Sequence, residues 1–418
     1  GSSFGIQFLS DDLMLVGDFV FILFTCYHWR IIFTRLFIYG NFQIVSQTKT
    51  TLNKLLFEPY KLKNLTLPNR IVMAPMTRRQ SPNGVPGENV AEYYARRALG
   101  KTGLIISEGT FVDDPASGCI WDSMVPRFYG EDALSGWKNV ISKVHEAGGI
   151  MFPQLWHLGI KPDSDGVNPR VEDACGPSSI STDGNKIGEE PTQKRLEESI
   201  EAYVRTARNV KELGFDGLEL HGAHGYFLDQ FFWEKTNKRT DKYGGKTIGE
   251  RARFVADVIK AVRNEVGLDF PVVLRISQWK LNAYEARNAN NPDELEKWVT
   301  PLAEAGVDMF HCSTRRFWKP EFEGSNLNLA GWVKKITGIP TITVGSLTMN
   351  KEFGSKDELH PENTITFHDL EERLERNEFD LVAVGRAIIS NPNWADLVEQ
   401  NKLSELKPFD MSMLKSLN

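Results

Sequence analysis

Hydrophobic and polar positions divide this chain into a repeating alternation from about residue 70 onward. Short apolar runs recur at Ile71–Met76, Gly103–Glu108, Ile150–Trp156, Gly217–Leu220, Val272–Ser277, Asp308–Ser313, Thr341–Val344 and Leu381–Val384. Their length and near-continuous apolar character predict strands buried on both faces. Stretches with three- and four-residue apolar spacing separate them. Leu196, Ile200, Tyr203, Val204, Ala207, Val210 and Leu213 mark one helix, with Gly214 placed to terminate it. Phe254, Val255, Val258, Ile259, Val262 and Val266 mark another, introduced by Thr247 and Glu250 at capping-box spacing. Leu295, Trp298, Val299, Leu302 and Ala303 mark a third, which ends at Gly306. Eight strands alternating with helices predict an α/β fold, a closed (β/α)8 TIM barrel, over a doubly wound open sheet.

The first fifty residues follow a different pattern. Phe19 to Tyr39 is strongly apolar, yet Arg30 and Arg35 interrupt it, and the uncharged run from Phe19 to Trp29 is too short to span a bilayer. The reading is therefore an extra N-terminal apolar segment over 1–51, appended, targeting or a weak anchor, outside catalysis. A single catalytic domain spans 52–410 and a short tail 411–418. Membrane association is expected only if the N-terminal segment is a genuine anchor.

Composition narrows the partners. Of the 418 residues, 41% are hydrophobic and 25% charged, which suits a large globular core rather than disorder. The net charge of −6 with dispersed basic residues argues against nucleic acid. Cys26, Cys119, Cys175 and Cys312 form no Cys-x-x-Cys pair, which argues against an iron–sulfur cluster or structural zinc and fits a reducing, cytoplasmic setting. Oligomeric state, monomer or homodimer, is not legible.

Chemistry in a parallel barrel occurs at the C-terminal ends of its strands. Strand four runs into His221-Gly222-Ala223-His224-Gly225-Tyr226, where glycines let two imidazoles and a phenol converge on one small ligand. Zinc is the competing reading for the histidines, but no third ligand in a zinc-binding pattern accompanies them, so no metal is expected. Trp156 and Trp279 are candidates for the substrate pocket, while His311 reads as a structural core histidine. Strand one runs into Pro75, Met76 and Thr77, strand two into Gly109, strand three into Gln154, and strand five delivers Arg275.

Strands seven and eight end in Gly345-Ser346 and Gly385-Arg386, a combination of exposed backbone N–H groups and fixed positive charge that suits a phosphate. A flat ring with a uracil-like edge suits the donor and acceptor of the Gln154 amide, and Arg275 suits negative charge on that ring once reduced. Gly109 would admit the ring, and Thr77 would bond a ring carbonyl. These features describe flavin mononucleotide (FMN). Without a Gly-x-Gly-x-x-Gly fingerprint opening the chain, NADH or NADPH is expected to bind only transiently.

Phe57-Glu58-Pro59, Asn69 to Thr77, Gln154-Leu155-Trp156, His221 to Phe231 and Arg239 to Gly245 together resemble the Old Yellow Enzyme family of flavin-dependent ene-reductases, from about residue 55 to 410. One departure is the run Gly244 to Arg251, a residue longer than the family's Gly-Gly-Ser-hydrophobic-Glu-Asn-Arg pattern and without its Asn. The resemblance implies that His221 and His224 bind a substrate carbonyl oxygen and that Tyr226 supplies a proton. It implies flavin contacts at Thr77, Gln154 and Arg275 and phosphate contacts at Gly345, Ser346, Gly385 and Arg386. The expected reaction is reduction of the C=C bond of an electron-poor alkene, an enone or nitroalkene, at the expense of NAD(P)H. An NAD(P)H oxidase or quinone reductase on the same barrel, and a non-catalytic flavin-binding barrel, are the alternatives.

Overall fold

The computed structural model describes residues 52–118, 122–160, 175–347 and 364–418. The apolar segment 19–39, Cys26 and Cys119 lie outside the described residues. Leu52 to Asn418 forms one compact unit. Its centre is a closed barrel of eight parallel strands in chain order: Ile71–Met73, Leu104–Phe111, Met151–Trp156, Leu218–His224, Val272–Lys280, Met309–Ser313, Thr341–Val344 and Leu381–Val384. Strand eight closes onto strand one, with Val382 opposite Ile71 and Val384 opposite Met73. The expected (β/α)8 barrel is the observed fold.

Period-two alternation sorts each strand between two cores. Val72, Leu104, Ile106, Phe152, Val273, Met309 and Ile342 pack together inside the barrel. Their neighbours Ile71, Met73, Ile105, Met151 and Leu274 pack outward against the helices. These inward residues come from the starts of the strands. Leu62 and Leu67 of an antiparallel hairpin, Tyr60–Leu62 with Leu65–Leu67, join the same cluster and cover that end. The opposite end is left for the site.

The helices form as their patterning predicts. In Gln193–Glu212 the Thr192 side chain accepts the Arg195 N–H at the N-terminus, Leu196, Tyr203, Ala207 and Val210 are buried, and Gly214 follows at φ 87°. Thr247 and Glu250 form the reciprocal capping box, and Arg253–Val266 buries the expected apolar stripe. Around the departure from the family pattern, the Arg251 guanidinium donates to the carbonyls of Phe232, Gly245 and Lys246, which ties the longer loop to the barrel helix behind it. Among the described residues no helix is long and apolar enough to cross a membrane.

Strand ends depart from the sequence pattern in an informative way. Strand one stops at Met73, three residues short of the apolar run, so Pro75, Met76 and Thr77 lie in the loop beyond it. Strands two, four and five continue past their expected ends, to Phe111, His224 and Lys280. Polar residues in these extensions hide the strands from an apolar count, while neighbouring strands supply the pairing.

Candidate active site

Strand four carries the central chemistry, and its histidine motif is strand rather than turn through His224. Opposite strand five, His221 pairs with Arg275 and Gly222 with Ile276, after which the register shifts so that His224 faces Lys280. That irregularity re-aims the strand end, as bulges do next to functional sites. Gly222 is required there because a Cβ would lie 2.9 Å from the Arg275 carbonyl oxygen. His224 then adopts φ 64° and Gly225 φ 83°. A histidine in the left-handed region is strained, and it is held by named contacts. Its N–H donates to Ser277 Oγ at 2.8 Å, its carbonyl accepts from the Leu281 N–H at 3.1 Å, and its Nε2 lies 2.8 Å from Ser313 Oγ.

The three side chains expected to converge do so. The His221 and His224 rings have centroids 5.2 Å apart at 89°, and the Tyr226 ring lies 5.2 Å from His221. The two pocket tryptophans pack directly on this trio. Trp156 stacks over His221 at 6.0 Å and meets Tyr226 edge-to-face at 5.0 Å. Trp279 stacks on His224 at 4.2 Å.

Burial holds both imidazoles well below the usual histidine range, and the nearby Arg275 cation pushes the same way. Both rings are neutral at neutral pH. His221 Nδ1 accepts the Ala223 N–H at 3.3 Å, which leaves its single proton on Nε2. His221 is thereby a hydrogen-bond donor through Nε2.

Beside the trio, the barrel interior carries a polar chain that the sequence reading missed. Gln154 Nε2 donates to Glu219 Oε1 at 2.9 Å, and the other Glu219 oxygen is 2.7 Å from His311 Nδ1. All three side chains are buried. Glu219 lies two residues before His221 on the same strand face, a periodicity that could have flagged it. His311, expected to be structural, anchors Glu219. With one amide N–H committed, Gln154 has a fixed sense and keeps a second N–H and its Oε1 for a ligand edge.

Arg275 is 8% exposed, and burial pushes its guanidinium down to about 10, against the attraction of Glu219. Its buried Nε has no hydrogen-bond partner among the described residues. A buried cation with an orphaned donor suits an anionic ligand group. This orphan and the pinned amide fit the electron-rich, uracil-like edge of a flavin.

Gly109 is needed for a reason beyond ligand access, since a Cβ there would sit 2.5 Å from Trp156 Cε3 and 3.3 Å from Gln154 Oε1. On strand one's side, Thr77 is exposed and Pro75 and Met76 are half-buried. The Glu108 carboxylate accepts the Arg78 N–H at 3.0 Å just beyond them.

At strand seven, Gly345 has φ 156° and a Cβ would clash with Thr314 Oγ1 at 2.7 Å, while Ser346 Oγ donates to the Arg315 carbonyl at 2.7 Å. Gly385 follows strand eight as the N-cap residue of the short helix Arg386–Ser390. Lys280, Asp229 and Ser313 complete the residues that sequence reasoning left out or set aside. Among the described residues, no cluster of three or more His, Cys, Asp or Glu could hold a metal.

The family model described as NADH:flavin oxidoreductase / NADH oxidase matches residues 55–405. A 12-oxophytodienoate reductase 7 of Oryza sativa subsp. japonica is 34% identical over 382 residues, spanning 84% of this chain and 88% of that protein. Among solved structures, a morphinone reductase superposes with a TM-score of 0.69 at 27% identity, covering 86% of this chain and 92% of the other. An Old Yellow Enzyme from Pichia sp. AKU4542 superposes with a TM-score of 0.69 at 25% identity, covering 86% and 90%.

Proposed function

Because the chain belongs to the NADH:flavin oxidoreductase / NADH oxidase family, we propose that it uses NAD(P)H to reduce the C=C bond of electron-poor alkenes, through FMN held at the barrel mouth. The observation that carries this reading is the convergence of two neutral imidazoles and one phenol at the end of strand four. With FMN bound, the site gains a hydride carrier that is loaded by NAD(P)H and discharged to the β-carbon of the alkene.

Residues of the chain divide the remaining work. Pro75, Met76, Thr77, Gly109, Gln154 and Arg275 hold the ring, and Gly345, Ser346, Gly385 and Arg386 hold the phosphate. His221 donates its Nε2–H to the activating oxygen of the substrate, and the His224 ring binds the same oxygen. Their hydrogen bonds strengthen as negative charge builds on that oxygen, which favours the transition state over the ground state. Neutral imidazoles suit this task because burial leaves them uncharged without removing their donor N–H.

Tyr226 protonates the α-carbon. A phenol with an ordinary pKa of about 10 is protonated at neutral pH and still yields its proton to an enolate carbon. Trp156 limits the swing of that phenol through its edge-to-face contact with the ring. Trp156 and Trp279 form walls that orient the two histidines as well as the substrate.

The test is optical. Purified protein is expected to show flavin absorbance that bleaches anaerobically with NADPH and returns on adding cyclohexenone. Tyr226→Phe is expected to slow the return by about two orders of magnitude, the usual worth of a positioned acid, while leaving the bleaching rate nearly unchanged. An acceptor that needs no carbon protonation, such as a quinone or oxygen, would turn over normally in that variant. A colourless folded protein, or equal loss of both half-reactions, overturns the proposal.

A further inference from the structure

We infer that Lys280 is a positioning residue for the reaction proposed above, fixing the turn between His224 and Tyr226 through a buried ion pair with Asp229. Strand five runs three residues past Ser277, and its last residue meets the end of strand four by register and the helix that follows, Phe227–Phe232, by side chain. By backbone, Lys280 is the register partner of His224, and the next residue, Leu281, donates its N–H to the His224 carbonyl at 3.1 Å. By side chain, Lys280 Nζ lies 2.7 and 2.8 Å from the two Asp229 oxygens. Neither side chain has any solvent exposure.

Asp229 connects that ammonium to the turn. Its Oδ2 accepts the N–H of Gly225 at 2.8 Å, the peptide joining the clamp histidine to the residue before the acid. Its Oδ1 also accepts from Asn288 Nδ2 at 2.9 Å. The carboxylate is thus held by three donors, one of which belongs to the turn itself.

A fully buried ion pair is a poor way to gain stability, since desolvation of both charges offsets their attraction. It is an effective way to fix geometry. His224 at φ 64° tends to relax toward an ordinary backbone conformation. Ser277 and Leu281 hold the two ends of that residue, and Asp229 holds the next peptide. Shortening Lys280 leaves the Asp229 carboxylate buried and short of its cation, so the charged side chain turns away from its place, and the Gly225 tether goes with it. His224 and Tyr226 then lose their common frame.

The experiment uses the full FMN-loaded chain. Lys280→Met is expected to keep flavin reduction by NADPH within about twofold of wild type and to slow re-oxidation by cyclohexenone about a hundredfold, the scale of a misplacement near 1 Å. In FMN-free protein labelled with 15N-histidine, the His224 ring resonances are expected to shift. The double variant Lys280→Met/Asp229→Asn, whose amide oxygen still accepts the Gly225 N–H without a buried charge, is expected to recover about tenfold of the lost rate. Wild-type re-oxidation with unshifted His224 resonances, or equal slowing of both half-reactions, overturns the inference. If Lys280→Met does not fold, the double variant is held to the same two criteria against wild type. Failure of wild-type protein to accept electrons from NADPH would instead strike the proposed function.

Discussion

Glu108 shows how much a single buried group near the cofactor loop can report. Its carboxyl is pushed up to about 7 from 4.5 by burial, which outweighs the Arg78 N–H that it accepts. The folded state therefore binds a proton that the unfolded chain has already released between pH 4.5 and 7. Stability from this group is greatest below that window and falls as pH rises through it. Relative to wild type, Glu108→Gln is expected to gain up to about 3 kcal/mol on going from pH 5 to pH 8, measured by urea unfolding of both proteins. Parallel stability profiles would overturn the assignment. At this scale the sequence was readable where chemistry-bearing side chains were neighbours, as at His221, His224 and Tyr226. Ser313 and Lys280 escaped because each meets its partner on an element distant along the chain, for which spacing carries no signal, whereas Glu219 was open to the period-two spacing before His221.

Among the elements, the buried helical faces were legible because apolar spacing and end signals agree. The Thr247–Glu250 box is a good test, since both of its reciprocal bonds are present at an exposed helix start. Thr247→Ala is expected to cost about 1 kcal/mol in thermal or urea unfolding and to leave both half-reactions intact. A variant as stable as wild type would show that Arg251 alone holds the loop. Strand ends were less legible. His221 to His224 and Gln278 to Lys280 look like loop by composition, yet His221 and Gly222 pair with Arg275 and Ile276 and, after a register shift, His224 pairs with Lys280. The hairpin at Tyr60–Leu67 was also missed, because its two strands are only three residues each.

At the level of the molecule, the barrel was predicted from eight repeats and is complete within Leu52–Asn418. A chain beginning at Leu52 is therefore expected to bind FMN and carry out both half-reactions at wild-type rates, and loss of flavin absorbance on removing residues 1–51 would assign them to the catalytic unit. The closure of the barrel reaches further. Strand one pairs on one side with strand eight, whose residues are made about three hundred residues later. Until then the nascent chain carries an open, apolar strand edge, a surface prone to wrong association. The proposed ring contacts at Pro75 to Thr77 and phosphate contacts at Gly385 and Arg386 likewise meet only when translation has passed the last strand. A fragment that lacks strand eight has no assembled pocket to fill, so bound flavin adds stability only to chains whose barrel has closed.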